Sequence, residues 1–267
     1  MPRRRIGFWY RLAVGVCKPP LLLLFARDWR GMEHIPDEGG FIAVVNHNSY
    51  LDPFSYGHFQ YSTGRVPRFM VKAELFRTPF VGRVLRGAGQ IPVHRGTARA
   101  ADAVRDAVAA VDSGECVVVY PEGTRTLDPD QWPMTGKTGV ARMALSTRAP
   151  VIPVAQWGAN EALPPHTGRR RVWLLPRKTL RVLAGPPVDL SAYLDREPTP
   201  EVLRAATDTI MDAVTELLAE LRQQPVPARR RAANPQTWTR TSASRPPTGP
   251  PGTRTPQDPQ ARNEETQ

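Results

Sequence analysis

Three short polar clusters carry the residue types that could do chemistry in this chain, and the first contains a histidine and an aspartate. His47 and Asp52 are five residues apart and follow a short apolar run. On one continuous helix that spacing puts two side chains about 140° apart, so they can pair only if the chain between them turns. Pro53 favours a turn, because proline restricts the residue before it and suits the first turn of a helix. The pattern predicts His47 in a loop and Asp52 capping a helix start, free to accept the imidazole proton.

Such a pair would be an oriented general base. The carboxylate would fix the imidazole tautomer, and the imidazole would take a proton from a hydroxyl group at neutral pH. The alternative is that Asp52 only caps a helix and His47 only satisfies backbone groups in a turn. The spacing alone leaves both interpretations open.

The other two clusters have residue types suited to binding an anion. Glu122, Gly123, Thr124 and Arg125 follow an apolar run. Glycine permits an unusual turn, and Thr and Arg supply donors that fit a phosphate or carboxylate. Glu122 would bind a substrate hydroxyl or hold the arginine, and a plain surface turn with a Glu–Arg pair is the alternative. Residues 89–95 form the third cluster: Arg95, with Lys72 from the end of another run, would add to an anion site or be an ordinary solvated charge.

The elements that must position these clusters alternate between strand-like and helix-like patterns. Short β-branched runs bounded by Gly or Pro predict buried strands at residues 41–45, 68–71, 116–120, 151–155 and 181–184. Apolar spacing predicts helices at residues 97–112 and from Thr199 onward, where Thr caps and Pro200 fills the first turn. The alternation predicts a single α/β domain with a largely parallel sheet covered by helices, and polar clusters at strand ends are where such folds bind ligands.

Charge is concentrated at the two ends of the chain. The 267 residues carry a formal charge of +11, of which residues 1–30 contribute +6, residues 223–267 +4 and the central part +1. The composition of residues 1–30 predicts a membrane-interface anchor, because apolar segments with aromatic and arginine flanks suit the surface of an anionic leaflet. A membrane-spanning helix is not expected, because Pro19 interrupts the apolar run. The alternative is a first helix packed on the domain. Residues 223–267 predict a disordered basic Pro/Thr-rich tail, which leaves residues 31–222 as the folded domain.

Several protein classes are excluded or disfavoured by what the sequence lacks. Cys17 and Cys116 are the two cysteines, so a disulfide scaffold is excluded and no metal-ligand spacing occurs. There is no G-x-S-x-G motif of a serine hydrolase. Nucleic acid is not an expected partner, because the basic tail lacks interleaved aromatic residues.

Taken together, the clusters resemble the glycerolipid acyltransferases, the family that includes bacterial 1-acylglycerol-3-phosphate acyltransferases. Asn46 and His47 through Asp52 match the family's N-H-x4-D block, and residues 122–125 match its third block without change. Residues 89–95 resemble the second block and residues 151–155 the fourth. The order and spacing agree over about residues 30–222. Pro92 and Val93 depart from the second block, where Phe and an aliphatic residue are more usual, which loosens the assignment of Arg95.

The resemblance implies a reaction and a role for each cluster. The family moves a fatty acyl group from acyl-CoA or acyl carrier protein onto a glycerol hydroxyl. For this chain we expect the acceptor to be the free hydroxyl of 1-acylglycerol-3-phosphate, giving phosphatidic acid. His47 would be the general base and Asp52 its orienting partner. The glycerol-phosphate part would be bound by Glu122, Gly123, Thr124 and Arg125, with Arg95 and Lys72 on the phosphate.

The same resemblance sets expectations about cofactors, partners and location. We expect no metal and no cofactor beyond the acyl thioester co-substrate. The expected partners are that donor, a lysophosphatidate-like lipid and an anionic membrane surface, with the chain monotopic or peripheral on the cytoplasmic face of the cell membrane. Two alternatives stay open: an acyltransferase for another acceptor (glycerol-3-phosphate, another lysophospholipid, or a non-phosphorylated alcohol or amine), or a non-catalytic lipid-binding protein on this fold.

Overall fold

A single seven-stranded sheet organises the chain, whose computed structural model describes residues 6–96, 99–164 and 172–228. The strand order across the sheet is β1-β7-β6-β2-β5-β3-β4. Neighbouring strands are parallel, except that β6 and β7 are antiparallel. The strands are β1 (Phe25–Arg30), β2 (Phe41–Val45), β3 (Pro67–Lys72), β4 (Ile91–Val93), β5 (Cys116–Val119), β6 (Val151–Trp157) and β7 (Lys178–Ala184).

Helices cover both faces of this sheet. One face of β2, β5 and β6 packs against α4, α5 and α8, and the opposite face packs against α2. The described helices are α1 (Phe8–Leu24), α2 (Asp52–Ser62), α3 (Val81–Gly87), α4 (Ala100–Asp112), α5 (Gly139–Thr147), α6 (Ala159–Ala162), α7 (Ser191–Leu194) and α8 (Pro200–Arg222), with 3-10 turns at Met32–His34 and Ala73–Arg77. The predicted α/β domain with a largely parallel, helix-covered sheet is confirmed.

Burial on both faces explains why the central strands could be recognised from sequence. All five residues of β2 are fully buried, as are most of β5 and β6, so these strands are uninterrupted apolar runs. By contrast, β1 and β4 were not predicted. The first lies at an edge and contains charged residues, and the second is only three residues long.

The N-terminal region differs from the predicted anchor in two ways. A single helix, α1, runs through Lys18, Pro19 and Pro20 without a break. Residues 25–30, which the prediction placed in the anchor, form β1 and pair with β7. Within the described residues no helix combines the length and apolarity needed to cross a membrane.

The C-terminal boundary also lies beyond its predicted position. Thr199 caps α8 as expected, accepting a hydrogen bond from the Val202 amide, but the packed chain continues past Arg222. Val226 is buried in a cluster with Trp132 and Leu218, because the chain after α8 turns back onto the domain. Most of the predicted tail, residues 229–267, lies outside the described residues.

Candidate active site

The loop between β2 and α2 brings His47 and Asp52 into contact. His47 Nδ1 lies 2.9 Å from Asp52 Oδ2, and the Asp52 side chain is 2% exposed. The same oxygen accepts hydrogen bonds from the amides of Asn48 (2.5 Å) and Ser49 (2.6 Å). The prediction that Asp52 caps the helix is wrong in detail, because α2 begins at Asp52 itself and its N-cap position makes no side-chain hydrogen bond. The carboxylate turns back on the loop, and this shapes the turn that holds His47.

Asn46 fixes the start of this loop to the neighbouring strand. Its Oδ1 accepts a hydrogen bond from the Gln156 amide (2.7 Å), and its Nδ2 donates to the Gln156 carbonyl oxygen (3.1 Å). Gln156 Nε2 in turn donates to the Asn46 carbonyl oxygen (2.9 Å). Both residues are buried. These bonds extend the pairing of β2 and β6 beyond the ladder, so the residue that follows them, His47, has a fixed position.

Glu122 holds the other side of the loop. Its Oε1 accepts a hydrogen bond from the His47 amide (3.1 Å), and its Oε2 accepts one from the Met134 amide (2.9 Å). The Thr126 amide donates to the His47 carbonyl oxygen at 2.7 Å. Glu122 is buried and is not part of the cavity wall described below. In this arrangement it positions His47, and its predicted contact with substrate stays a prediction.

Aromatic rings set the plane of the imidazole. The Tyr120 ring stacks on His47 with 4.4 Å between centroids, and Phe69 stacks behind Tyr120 at 6.4 Å. Burial, with a smaller effect of Asp52, raises the pKa of Tyr120 well above its usual value, so the phenol stays neutral. Sequence reasoning gave neither ring a role, because strand residues of this kind are usually core.

His47 forms part of the wall of a cavity of about 900 Å³. Much of the wall is apolar and comes from α1, α2, β3 and α3. Five cationic side chains also line the cavity, and no carboxylate does so among the described residues. The cations are Lys18, Lys72, Arg95, Arg125 and Lys137.

The cavity wall contains most of the residues predicted to bind an anion. Gly123 and Thr124 line it together with Lys72, Arg95 and Arg125. Arg125 lies over the Tyr50 ring, 3.8 Å from its centroid, and donates to Tyr50 Oη at 3.0 Å. Lys72 Nζ is 3.7 Å from a Glu74 oxygen.

Lys137 belongs to the same wall but was not predicted. It lies 12 residues after Arg125 in a stretch without a recognised pattern, so no signal in its own neighbourhood indicated a role.

The geometry of the pair determines which nitrogen is available for chemistry. With Nδ1–H donated to Asp52, the imidazole keeps a lone pair on Nε2. His47 is part of the cavity wall and its Nδ1 is engaged by Asp52, which leaves Nε2 as the nitrogen for a substrate. This arrangement is suited to taking a proton from a hydroxyl group bound in the cavity, because the buried carboxylate would stabilise an imidazolium.

Comparisons with known proteins identify relatives of this chain. Residues 27–157 match the family model described as Acyltransferase. The chain is 26% identical to 1-acyl-sn-glycerol-3-phosphate acyltransferase of Bacillus subtilis over 194 residues, covering 72% of this chain and 87% of that protein. It is 33% identical over 131 residues to the protein of the same name from Borreliella burgdorferi, covering 49% of this chain and 50% of that one.

A solved structure also resembles this fold. It is the 1-acyl-sn-glycerophosphate acyltransferase PlsC of Thermotoga maritima, which has a TM-score of 0.58, 26% identity and coverage of 81% of each chain. The family match covers the loop that holds His47 as well as the turn at Gly123. Residues 27–157 therefore form a domain of the glycerolipid acyltransferase family, and the chain is a glycerolipid acyltransferase.

Proposed function

We propose that the enzyme transfers a fatty acyl group from a thioester to the free hydroxyl of 1-acylglycerol-3-phosphate, giving phosphatidic acid. The observation that carries the proposal is the His47–Asp52 pair in the wall of a cavity that is both apolar and cationic. The apolar wall suits acyl chains, and the cations suit a phosphate. The names of the Bacillus and Borreliella relatives and of the Thermotoga structure refer to the same acceptor.

The reaction needs only a base and a bound pair of substrates. His47 Nε2 takes the proton of the acceptor hydroxyl as its oxygen attacks the thioester carbonyl carbon. The tetrahedral intermediate then expels the sulfur, and the thiolate takes the proton back from the imidazolium. Because a thioester is already activated, no acyl-enzyme is required. Acyl-CoA and acyl carrier protein both supply this donor chemistry.

The cationic wall favours a phosphorylated acceptor over a neutral one. Five positive side chains and no carboxylate line the described wall, and Glu74, which lies near Lys72 but outside that wall, offsets only part of this charge. A phosphate monoester is doubly charged near neutral pH and accepts several hydrogen bonds, so it offsets more of that charge than an alcohol or amine would.

A covalent mechanism through cysteine is disfavoured by the environment of both thiols. Cys116 is buried at the start of β5, the opposite end of that strand from Tyr120, and burial raises its pKa. Cys17 is half-buried in the cavity wall, and burial raises its pKa as well. Both are therefore thiols rather than thiolates at neutral pH.

We also propose that the enzyme works at a membrane surface, as a peripheral or monotopic protein on the cytoplasmic face. The exposed side of α1 is largely apolar, and the helix contains no acidic residue. Further exposed apolar side chains line the cavity, lie within two residues along the chain of a residue that lines it, or follow β6. Those of α1 are Phe8, Val16, Leu22 and Leu23, and the others are Tyr50, Phe54, Leu75, Phe80, Val81, Leu127, Val172, Trp173 and Leu175. Such a surface suits partial insertion into a leaflet.

The test is acyl transfer by the purified full chain in anionic vesicles. Labelled acyl-CoA, and separately acyl carrier protein, is offered with lysophosphatidate, glycerol-3-phosphate or uncharged monoacylglycerol, and His47→Ala is run alongside. We expect phosphatidate from lysophosphatidate, reduced about 10²–10⁴-fold in the variant. Preference for another acceptor would overturn the assigned substrate, and an unchanged rate in His47→Ala would overturn the assigned base.

A further inference from the structure

We propose that Lys137 binds the phosphate group of a substrate, at a subsite formed with the turn at Gly123. The inference rests on the proposed function, because it assigns a ligand to the same cavity. The phosphate belongs either to the glycerol-phosphate headgroup of the acceptor or to the CoA part of the donor.

The backbone around Lys137 is held in place from two directions. Its amide donates to the Pro121 carbonyl oxygen at 2.9 Å. The carbonyl oxygen of the preceding Gly136 accepts a hydrogen bond from Arg204 Nη1 of α8 at 2.8 Å. The segment is therefore tied both to the end of β5 and to the long C-terminal helix, so the base of the lysine side chain has a defined position.

The ammonium group of Lys137 lies directly against Gly123. Gly123 has a φ of +72°, and a Cβ added there would lie 2.8 Å from Lys137 Cε and 2.9 Å from Nζ. Glycine therefore serves both the turn and the close approach of the lysine. Glu122, the residue before Gly123, accepts a hydrogen bond from the His47 amide. The ammonium group of Lys137 therefore lies next to the turn that positions the proposed base.

The surroundings leave this charge available to a ligand. Lys137 is exposed and lines the cavity, whose described wall contains no carboxylate. The nearest acidic residue along the turn, Glu122, has its two oxygens bonded to the amides of His47 and Met134. A lysine ammonium is a compact charge with three donors, which suits a phosphate oxygen.

Steady-state kinetics of Lys137→Gln and Lys137→Arg test the proposal. Lys178→Gln is the matched control, because it removes a lysine charge at the start of β7 outside the cavity wall. We expect Lys137→Gln to raise one KM about 10–100-fold, the range for a lost charge-assisted bond. We expect kcat to change less than about threefold, Lys137→Arg to restore most of the loss and the control to match the wild type.

The two phosphate sources give different results. A rise confined to the KM for lysophosphatidate assigns the headgroup, and a rise confined to the KM for acyl-CoA assigns the CoA phosphates. Unchanged KM values for both substrates, in a variant with the wild-type unfolding midpoint, would overturn the proposal.

Calorimetric titration separates this inference from the proposed reaction. The probe is glycerol-3-phosphate, or CoA itself, added to the wild type and to Lys137→Gln without turnover. Weaker binding in the variant supports the subsite even if the wild type fails to acylate lysophosphatidate. Equal binding of both probes by the two proteins counts against it, whatever the activity.

Discussion

At the scale of single residues, one carboxylate does two things at this site. Asp52 Oδ2 contacts the imidazole of His47 and also accepts the amides of Asn48 and Ser49. The orientation of the proposed base and the shape of its loop therefore depend on the same buried atom. The consequences of removing His47 and of removing Asp52 should differ for this reason.

We predict that Asp52→Ala loses both activity and stability, whereas His47→Ala loses mainly activity. Removing Asp52 leaves two buried amides without their acceptor, which should lower the free energy of unfolding by about 2–4 kcal/mol. His47→Ala keeps the carboxylate and both amide bonds, so its unfolding midpoint should stay near that of the wild type. Urea denaturation followed by circular dichroism measures the difference, and equal destabilisation of the two variants would contradict this division.

A second residue-scale prediction concerns Gly123. Gly123→Ala should cost about 1–2 kcal/mol of stability, because its φ of +72° disfavours any side chain and the new Cβ meets Lys137. Gly15→Ala on α1 is the control, since a Cβ there has no neighbour within 4 Å. Thermal unfolding of the two variants makes the comparison. A Gly123→Ala protein as stable as the control would show that the turn relaxes without strain.

At the scale of elements, α1 has two different faces. One packs on the domain, with Trp9 against Gly87 and Tyr10 stacked on Tyr61 at 6.1 Å. Tyr10 and Cys17 also line the cavity, while the opposite face is exposed. The two interpretations of the N-terminal segment, interfacial anchor and packed helix, are therefore compatible, because each concerns a different face.

The exposed face of α1 gives a prediction about vesicle binding. The double variant Val16→Glu, Leu23→Glu should bind anionic vesicles at least about tenfold more weakly, because charge replaces two side chains that are 65% and 77% exposed. Ala101→Glu makes the same kind of change on the exposed surface of α4, and it should bind like the wild type. Vesicle flotation measures both, and equal binding would remove α1 from the membrane contact.

At the scale of the whole molecule, α1, α2 and β1 meet around one buried histidine. His58 of α2 lies edge-on to Trp29 of β1, with 4.8 Å between ring centroids. Burial lowers the pKa of His58 to about 4, and the charges of Arg27 and Lys18 contribute in the same direction. The folded protein therefore keeps this side chain neutral at pH values where the unfolded chain would protonate it.

This predicts how global stability depends on pH. The unfolded state binds the extra proton between the usual histidine pKa of about 6.5 and the folded value of about 4. Stability from this group is complete above about pH 6.5 and is lost as pH falls, by about 2 kcal/mol between pH 7 and pH 5. Urea denaturation at the two pH values tests it, and His58→Gln should reduce the pH dependence by that amount. The same slope in the variant would assign the effect to other groups.

The sequence by itself determined the features that depend on neighbouring residues. The uninterrupted apolar runs of β2, β5 and β6 identified the centre of the sheet, because strands covered on both faces must be apolar. Shorter apolar runs identified parts of β3 and β7, which are only partly buried. The turn at Pro53 and the spacing of His47 and Asp52 predicted their contact, and the four motif blocks predicted the family.

Only the tertiary structure decided what depends on residues far apart in the chain. The Glu122 contact with the His47 amide joins residues 75 positions apart. The sequence predicted that Glu122 contacts substrate, and only the folded chain shows that its side chain also holds the His47 backbone. Lys137, the stacked Tyr120 ring and the buried Val226 have no local pattern that sets them apart. The edge strand β1 looked like part of an anchor because only its pairing with β7 gives its charged residues a place in the sheet. Local patterns select elements and short turns, whereas the cavity and its charges arise from the packing of distant segments.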